Sequence, residues 1–534
     1  PGLALALALA LGLVLARLPA AVAWDLEAGG NATCVRFPGA APHAYKCHFK
    51  CWGQRFAYDA PHREYEDISH TATKQTWEGR NDMGDGIGRG PGQMGDSLPF
   101  VPGDCGPGGS NVSHTPICPA CTGTRYDGYL GFSVGGRHAC MLVNSTFQES
   151  DFYSGNIYRY RKPERYCWGN ENVFKGEGYA SSNQHHAAML SSCRDWSGSS
   201  NCGIGGEGPS SSSAIFGQSF VQLSAHGDGT CGVTNTGRVQ CWGVQPYGSG
   251  SSRLGQAQNW RGDDTVNQRV DFGEAANYTG LGWPWLTNRH DTGIATGIGV
   301  ASVTVGPHST CAIFGDGRLK CIGRNAGGAL GYGDTLDRGS SSATLGSNLP
   351  FVTLPVLRTV RAVGVGLDRM CAVLDDGSVR VWGVGFNGRA IWTGTTEAKD
   401  VACALNGCCL LFNTGGVRCF GAGGAFMGYG DMTARETVSD FLPYVDLGED
   451  TYAVRKVTAG DRHVCALTMS DKVRCWGENE FGQLGYGDTL DRGSGAGQTG
   501  AALPDVLTHV PLPIPPPPAP PPPPPPPPLQ DLAF

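Results

Sequence analysis

A cysteine pair ten residues apart, followed at once by an aromatic residue and a glycine, recurs along this chain and limits what it can fold into. Cys465 and Cys475 with Trp476-Gly477 form the clearest copy, and Cys231 with Cys241, Cys311 with Cys321 and Cys409 with Cys419 keep the spacing. Cys371 stands in the same frame, with Val381 where its partner would be. Two stretched copies lie earlier, Cys34 to Cys51 and Cys140 to Cys167, which makes seven. A ten-residue step is symmetric about a three-residue loop, usually a type I turn closed by a left-handed residue, a position that favours glycine. Gly237, Gly317, Gly377 and Gly415 occupy it, and Asp471 does so in the last copy. Each unit is therefore expected to be a β-hairpin whose cysteines face one another across antiparallel strands. Paired Cα atoms about 4.5–5.5 Å apart lie within disulfide range. The expected bridges are Cys34–Cys51, Cys140–Cys167, Cys231–Cys241, Cys311–Cys321, Cys409–Cys419 and Cys465–Cys475. Each closes a short loop and should add on the order of 2–3 kcal/mol.

A hairpin this small cannot bury a core alone, so the units must stack as a solenoid or close as a propeller. Residues 25–510 divided among seven units give about 69 residues each, room for a four-stranded blade with loop insertions. Trp52, Trp168, Trp242, Trp382 and Trp476 follow the second position, with Phe420 and Ile322 as substitutes. A large side chain at one point of every unit reads as packing between units rather than as a ligand-stacking ladder. Glycine supplies 82 of 534 residues and charged residues only 16%, which favours tight turns over surface helices. No long stretch has a 3.6-residue apolar rhythm, so the fold class is all-β.

A second repeat sits between units. "LGYGDTLDRGS" occupies 330–340 and returns unaltered at 484–494, with looser relatives at Gly428–Asp431 and Gly84–Gly90. Its glycines permit tight reversals, and Asp334 and Asp488 suit bonds to local backbone amides. A calcium loop needs alternating carboxylates at fixed steps, which Asp334 and Asp337 alone do not supply. The segment reads as a connector of the ring.

Together these features resemble the regulator of chromosome condensation repeat, best over Ala459–Asp488, "AGDRHVCALTMSDKVRCWGENEFGQLGYGD". The paired-cysteine form is similar to the family's exported members, the bacterial β-lactamase inhibitor propeller and crinkly-type receptor kinase ectodomains. The resemblance implies a seven-bladed β-propeller over residues 24–510, strong from about 221 onward. Long Gly/Ser-rich inserts at about 53–133 and 143–220 interrupt its N-terminal third. The family's founding activity is nucleotide exchange on a small nuclear GTPase.

Other features point to export. Residues 1–23 read as a signal peptide, an apolar run followed by Ala21-Val22-Ala23, with an uncleaved signal anchor as the competing reading. No further membrane span is expected in the mature chain. The 21 cysteines suit an oxidising compartment. Sequons stand at Asn31, Asn111, Asn144 and Asn277. Beyond the hairpin pairs, Cys193 and Cys202 are expected to close their own loop. Cys118-Pro-Ala-Cys121 lacks a second pair at zinc spacing, so structural disulfides with neighbours such as Cys47 and Cys105 are the better reading. Cys371 is the candidate for an unpaired thiol, with Cys403 or Cys408 as its alternative partners. His185-His186 reads as a solvated loop, and Arg261-Gly262-Asp263 as a chance triplet in Gly-rich sequence. From Pro511 to Phe534 the chain is a polyproline II tail or linker, akin to hydroxyproline-rich spacers of plant and green-algal surface proteins.

No nucleophile elbow, zinc helix or phosphate loop occurs. His138, His308 and His463 recur just before blade cysteines, and a residue repeated in several blades is a structural hydrogen-bonder rather than a catalyst. A net charge of −7 gives no basic stripe for nucleic acid. The expectation is a secreted or cell-surface, non-enzymatic propeller, without cofactor or metal, that binds a protein or glycan with its face loops. The alternatives are the ligand-binding ectodomain of a receptor and an exchange-factor-like regulator, the latter disfavoured by the export signals.

Overall fold

A computed structural model describes residues 25–38, 47–54, 86–87, 129–136, 138–150, 157–169, 220–227, 229–243, 268–273, 298–355, 357–386, 390–392, 396–436 and 439–506. The signal-peptide segment, most of both inserts and the polyproline tail lie outside them. The described residues form seven antiparallel sheets, one per cysteine unit, and strand order inside each sheet follows the chain. Blade 1 comprises Asp25–Gly29, Ala32–Pro38, Cys47–Gln54 and Gly86–Ile87, and blade 2 Tyr129–Val134, His138–Ser150 and Ile157–Gly169. Blade 3 is Phe220–His226, Gly229–Thr234, Val239–Gly243 and Gln268–Val270; blade 4 is Val300–Val305, Ser309–Phe314 and Leu319–Gly323. Blade 5 is Val360–Val365, Arg369–Leu374, Val379–Gly383 and Ala390–Trp392. Blades 6 and 7 are Ala398–Ala404, Gly407–Phe412 and Val417–Gly421, then Val454–Ala459, His463–Thr468 and Val473–Gly477. The architecture is the seven-bladed propeller expected.

The hairpin turns follow from their sequence. Gly237 N donates to Thr234 O and Thr234 N donates to Arg238 O, and the same two bonds recur around Gly317, Gly377, Gly415 and Asp471. All five residues have φ between 62° and 81°. Stepping inward from the bonded Thr234/Arg238 pair, hydrogen-bonded and non-bonded pairs alternate, and the cysteines fall on a non-bonded pair, where strands approach most closely. Cys231 and Cys241 are register partners with Cα atoms 4.0 Å apart, nearer than the spacing alone implies.

The turn also joins the blade to its successor. The carbonyls of Gly237, Gly317, Gly377 and Gly415 accept from Val300, Val360, Ala398 and Val454, the opening residues of the next inner strands. Inner strands have an edge to hide. Ser133 Oγ accepts Ala225 N, Ser224 Oγ accepts Val305 N and Thr458 Oγ1 accepts Ala28 N, at 2.8–2.9 Å, each hydroxyl coming from the preceding blade. A one-residue register shift bends the inner strands of blades 2 to 7.

The repeated connector proves to be a seat. Trp382, Trp476 and Trp52 are buried, each against the connector of the blade before it. A Cβ on Gly331 would stand 3.1 Å from the Trp382 ring, one on Gly428 2.8 Å from Trp476 Nε1, and one on Gly485 2.6 Å from Trp52 Nε1. Trp476 Nε1 donates to Phe426 O and Trp52 Nε1 to Gln483 O. The connector is in turn held from within. Asn325 Nδ2 donates to Asp334, its Oδ1 accepts Leu330 N, Arg338 grips both Asp334 oxygens, and Tyr332 OH bonds the Cys321 backbone in both directions. Asn479, Asp488, Arg492 and Tyr486 repeat this arrangement, and blade 6 keeps its Tyr429, Asp431 and Arg435 part. Asp334 and Asp488 also accept the amides of Leu336 and Leu490, the local bonds expected of them.

A full fourth strand is not general. In blades 4, 6 and 7 it shrinks to single bridges, Gly323 to Arg338, Gly421 to Arg435 and Gly477 to Arg492. The knotted connector spends those residues on its own turn. It returns a later backbone bond to its own blade, as in Val352 N to Leu319 O. Among the described residues the ring therefore closes without strand exchange. Blade 7 meets blade 1 through Asp461 N to Gly30 O, the Trp52 seat, and Lys456, which reaches Asp25 at 2.6 Å and Glu27 at 2.7 Å. Burial works against the Lys456 charge, but the carboxylates outweigh it and hold its pKa above the usual range.

Two expectations follow. Gly428 and Gly333 share a left-handed φ, but a Cβ on Gly333 meets nothing within 4 Å. Gly333→Ala should cost about 1–2 kcal/mol, the backbone penalty alone. Gly428→Ala should cost at least about 1 kcal/mol more in chemical denaturation, and equal losses would remove the seat from the account. Second, Cys371 and Val381 are register partners and Cys371 is unbonded. Val381→Cys should close a further bridge, seen as loss of a titratable thiol and a gain of roughly 2–3 kcal/mol.

Candidate functional site

The turn joining the first two strands of each blade is short because a glycine or small residue opens it. Gly135 N donates to His138 O, and Gly306, Gly366 and Gly460 donate likewise to Ser309, Arg369 and His463. These turns gather on one face around the axis and bond one another. Gly136 N donates to Gly227 O, Leu367 N to Leu405 O, Leu405 N to Asp461 O, and Asp461 N to Gly30 O. No side chain fits between them: a Cβ on Gly366 would stand 2.8 Å from Ala404 O. The residue after each aromatic-Gly pair joins the same face. Gln54, Arg324, Val384, Ala422 and Glu478 donate their amides to the carbonyls of Asn31, His308, Asp368, Asn406 and Arg462.

Two of the recurrent histidines tie blades together beneath this face. His463 Nε2 lies 2.8 Å from Thr33 Oγ1, blade 7 to blade 1, and His138 Nε2 bonds Thr230 Oγ1, blade 2 to blade 3. His463 is wholly buried, and burial lowers its pKa to about 4, although Asp461 opposes the shift. This is the structural role expected from their repetition.

The face itself is charged. His226 of blade 3 reaches Asp461 of blade 7 at 3.2 Å, linking blades that are not neighbours in the ring. Burial alone would raise the Asp461 pKa, but His226, with His463 and Arg462, lowers it. Around this pair stand Arg462 with Glu478 at 3.0 Å, Arg369 with Glu436 at 3.0 Å, and Arg324 with Asp368 at 3.9 Å. The opposite face carries the hairpin turns and exposes Leu357, Tyr452 and Met469. A depression of about 470 Å³ lies on the 484–494 connector, lined by Thr489, Leu490, Asp491, Arg492, Gly497 and Gln498. Its charged groups are already engaged, Asp491 by Asn479 N and Arg492 by Asp488. Among the described residues no group of three or more His, Cys, Asp or Glu side chains could hold a metal ion. Among them also no helix is long and apolar enough to cross a membrane.

The cysteines occupy these places. Cys34–Cys51, Cys231–Cys241, Cys311–Cys321, Cys409–Cys419 and Cys465–Cys475 are bonded. Cys140 is in a disulfide and is the backbone register partner of Cys167. Cys371 is a buried free thiol. A bridge the spacing did not foretell joins Cys403 to Cys408 across the first turn of blade 6. The string Cys-Ala-Leu-Asn-Gly-Cys around a tight turn carried that signal. The His226–Asp461 pair left no signal, because its members lie far apart in the chain. Asn31 sits in the axial turn of blade 1, and Asn144 lies in the long middle strand of blade 2. Asn111, Asn277, Cys105, Cys118, Cys121, Cys193, Cys202, His185, His186 and Arg261-Gly262-Asp263 lie outside the described residues.

Residues 454–483 match the family model of the Regulator of chromosome condensation (RCC1) repeat, the stretch that carries the blade 7 hairpin. The chain is 26% identical over 212 residues to the Ultraviolet-B receptor UVR8 of Arabidopsis thaliana, covering 37% of this chain and 45% of that one. The match thus spans less than half the length of this relative. Among solved structures, yeast RCC1 (Prp20) bound to Kap60 superposes with a TM-score of 0.43 at 16% identity, over 68% of this chain and 73% of that one. The ectodomain of the Physcomitrella patens receptor kinase CR4 gives 0.37 at 15% identity, over 85% and 73%.

The buried His463 sets an acid limit on stability. Its folded pKa lies below the free value of about 6.5, so the unfolded chain takes up the proton first. Stability should begin to fall below pH ~6.5 and lose on the order of 3 kcal/mol by pH ~4. His463→Gln should flatten that limb in denaturation measured against pH; an unchanged slope would assign the loss to other groups.

Proposed function

We propose, on the premise of a closed ring of regulator of chromosome condensation repeats, that this protein is a secreted or cell-surface binding module without catalytic activity. Its partner, a protein or a glycan, docks on the axial face. The observation that carries this reading is the way that face is built. Charges of both signs, Arg324, Asp368, Arg462 and Glu478, stand on turns that the backbone bonds of neighbouring blades hold in place. Loops fixed before binding lose little entropy on docking, and mixed charge selects a complementary surface. The array holds no nucleophile beside a base, so recognition rather than turnover is the economical use of it.

Export is supported by the bridges themselves. Disulfides in hairpin after hairpin persist in an oxidising compartment and would be reduced in the cytosol. An exchange-factor role inside the cell is disfavoured for the same reason. Glycans on Asn31, Asn111, Asn144 and Asn277 belong to this proposal, the Asn31 glycan standing on the axial face itself. The polyproline segment would hold the ring away from whatever follows or anchors it.

The test is capture of partners from an extracellular fraction with the oxidised protein. The wild type should retain a specific protein or glycan. Arg324→Glu combined with Arg462→Glu should lower retention at least about tenfold, whereas Tyr452→Ala on the opposite face should not. Loss with Tyr452→Ala alone would move the site to the hairpin face. Specific retention by neither form would end the binding reading.

A further inference from the structure

The first cysteine of a hairpin points at the next blade, where it meets the side chain just before the next first cysteine. Cys311 Sγ lies 3.2 Å from Met370 Sδ, and Cys465 Sγ lies 3.8 Å from Thr33 Oγ1. Between blades 5 and 6 the residues in those two positions are Cys371 and Cys408. Cys371 is a free thiol, while Cys408 is bonded to Cys403. All three share one apolar cluster with Val381, Val401 and Phe420. The inner strand of blade 5 makes room for this sulfur cluster, because a Cβ on Gly364 would stand 2.6 Å from Cys403 Sγ. We propose that Cys371, Cys403 and Cys408 form an intramolecular thiol–disulfide exchange site. The bridge moves between a staple within the axial turn of blade 6 and a tie between blades 5 and 6.

The step balances without any outside reagent. Cys371 gives up its proton to solvent, and its thiolate attacks Cys408 Sγ in line with the Cys403–Cys408 bond. The Cys371–Cys408 bond forms as the older bond breaks, and Cys403 leaves as a thiolate that takes up a proton. One disulfide and one thiol stand on each side, so nothing is oxidised or reduced overall. Burial pushes the Cys371 thiol well above the usual range, so the step is slow at neutral pH and quickens as pH rises.

The two isomers differ where it matters for the axial face. Cys403–Cys408 clamps the turn that contains Leu405, whose backbone bonds Leu367 of blade 5 and Asp461 of blade 7. After exchange that turn has no staple, and the thiol has moved from Cys371 in the middle strand of blade 5 to Cys403 at the axial turn of blade 6.

The experiment maps bridges in the folded protein. The sample is held at pH 8.5, quenched in acid, alkylated in denaturant and digested with trypsin without reduction. Cleavage at Arg369, Arg380, Lys399, Arg418 and Arg435 leaves Cys371 on peptide 370–380 and Cys403, Cys408 and Cys409 on peptide 400–418, which the Cys409–Cys419 bridge keeps joined to peptide 419–435. A fraction of 370–380 should be recovered covalently joined to 400–418, with the alkyl label on Cys403. Recovery of 370–380 only as a free peptide, labelled at Cys371, would overturn the proposal. Cys403→Ser supplies the second arm. It should pair Cys371 with Cys408 and leave neither open to alkylation, whereas label on both would sink the idea even where the wild type equilibrates too slowly to be seen.

Discussion

Three junctions of this ring, those into blades 1, 5 and 7, depend on an indole settling over a glycine. Each of these blades is a sheet that cannot hide its own tryptophan, and the blade before it offers a backbone pocket that does. Gly331, Gly428 and Gly485 leave the space, and the carbonyls of Phe426 and Gln483 satisfy the indole nitrogens of Trp476 and Trp52. A buried tryptophan brings a large apolar surface, provided its one donor finds a partner. The Asn, Asp, Arg and Tyr side chains of the connector act at one remove, by holding the glycine where the ring will come down.

The stitching around that contact is almost all backbone. Left-handed turn residues offer carbonyls to the next inner strand on one face, and the first turns bond one another on the other. Hydroxyls of Ser133, Ser224 and Thr458 cover the inner edges in between. Glycines such as Gly136, Gly306, Gly366 and Gly460 stand where two chains approach closely enough to exclude a Cβ. Low side-chain bulk near the axis is thus what lets seven blades converge. It also leaves the charged residues of the axial face on supports that have little freedom to move.

How much of this could be read from the letters depends on distance along the chain. Hairpin register is local, since ten residues and a glycine at the sixth step fix both the turn and the facing pair at Cys231 and Cys241. The propeller could be read for the same reason, as a repeat count. What the letters withheld are contacts between residues far apart. His226 and Asp461 belong to different turns whose meeting is decided by ring geometry, and Thr33 meets His463 only because the ends of the ring coincide. The fourth strand was over-read in blades 4, 6 and 7. Nothing in their composition says that Arg338, Arg435 and Arg492 will turn inward on an aspartate instead of continuing a ladder. On the candidate site, the sequence supplied histidines and glycines but not which face would gather the charge.

Closure without strand exchange has a consequence for how such a ring is built. Many circular assemblies are locked by a clasp in which one end of the chain completes the sheet begun by the other. Among the described residues the strands of every blade come from one contiguous stretch of chain, and the seam between blades 7 and 1 uses the same tryptophan seat as the junctions into blades 5 and 7, with the Lys456 ion pairs added. A seam that repeats an internal joint needs no special clasp. The connector carries a complete seat of its own, since its Asn, Asp, Arg and Tyr side chains hold the glycine from within. The eleven identical residues at 330–340 and 484–494 thus make one and the same seat for two different neighbours, Trp382 of blade 5 and Trp52 across the seam.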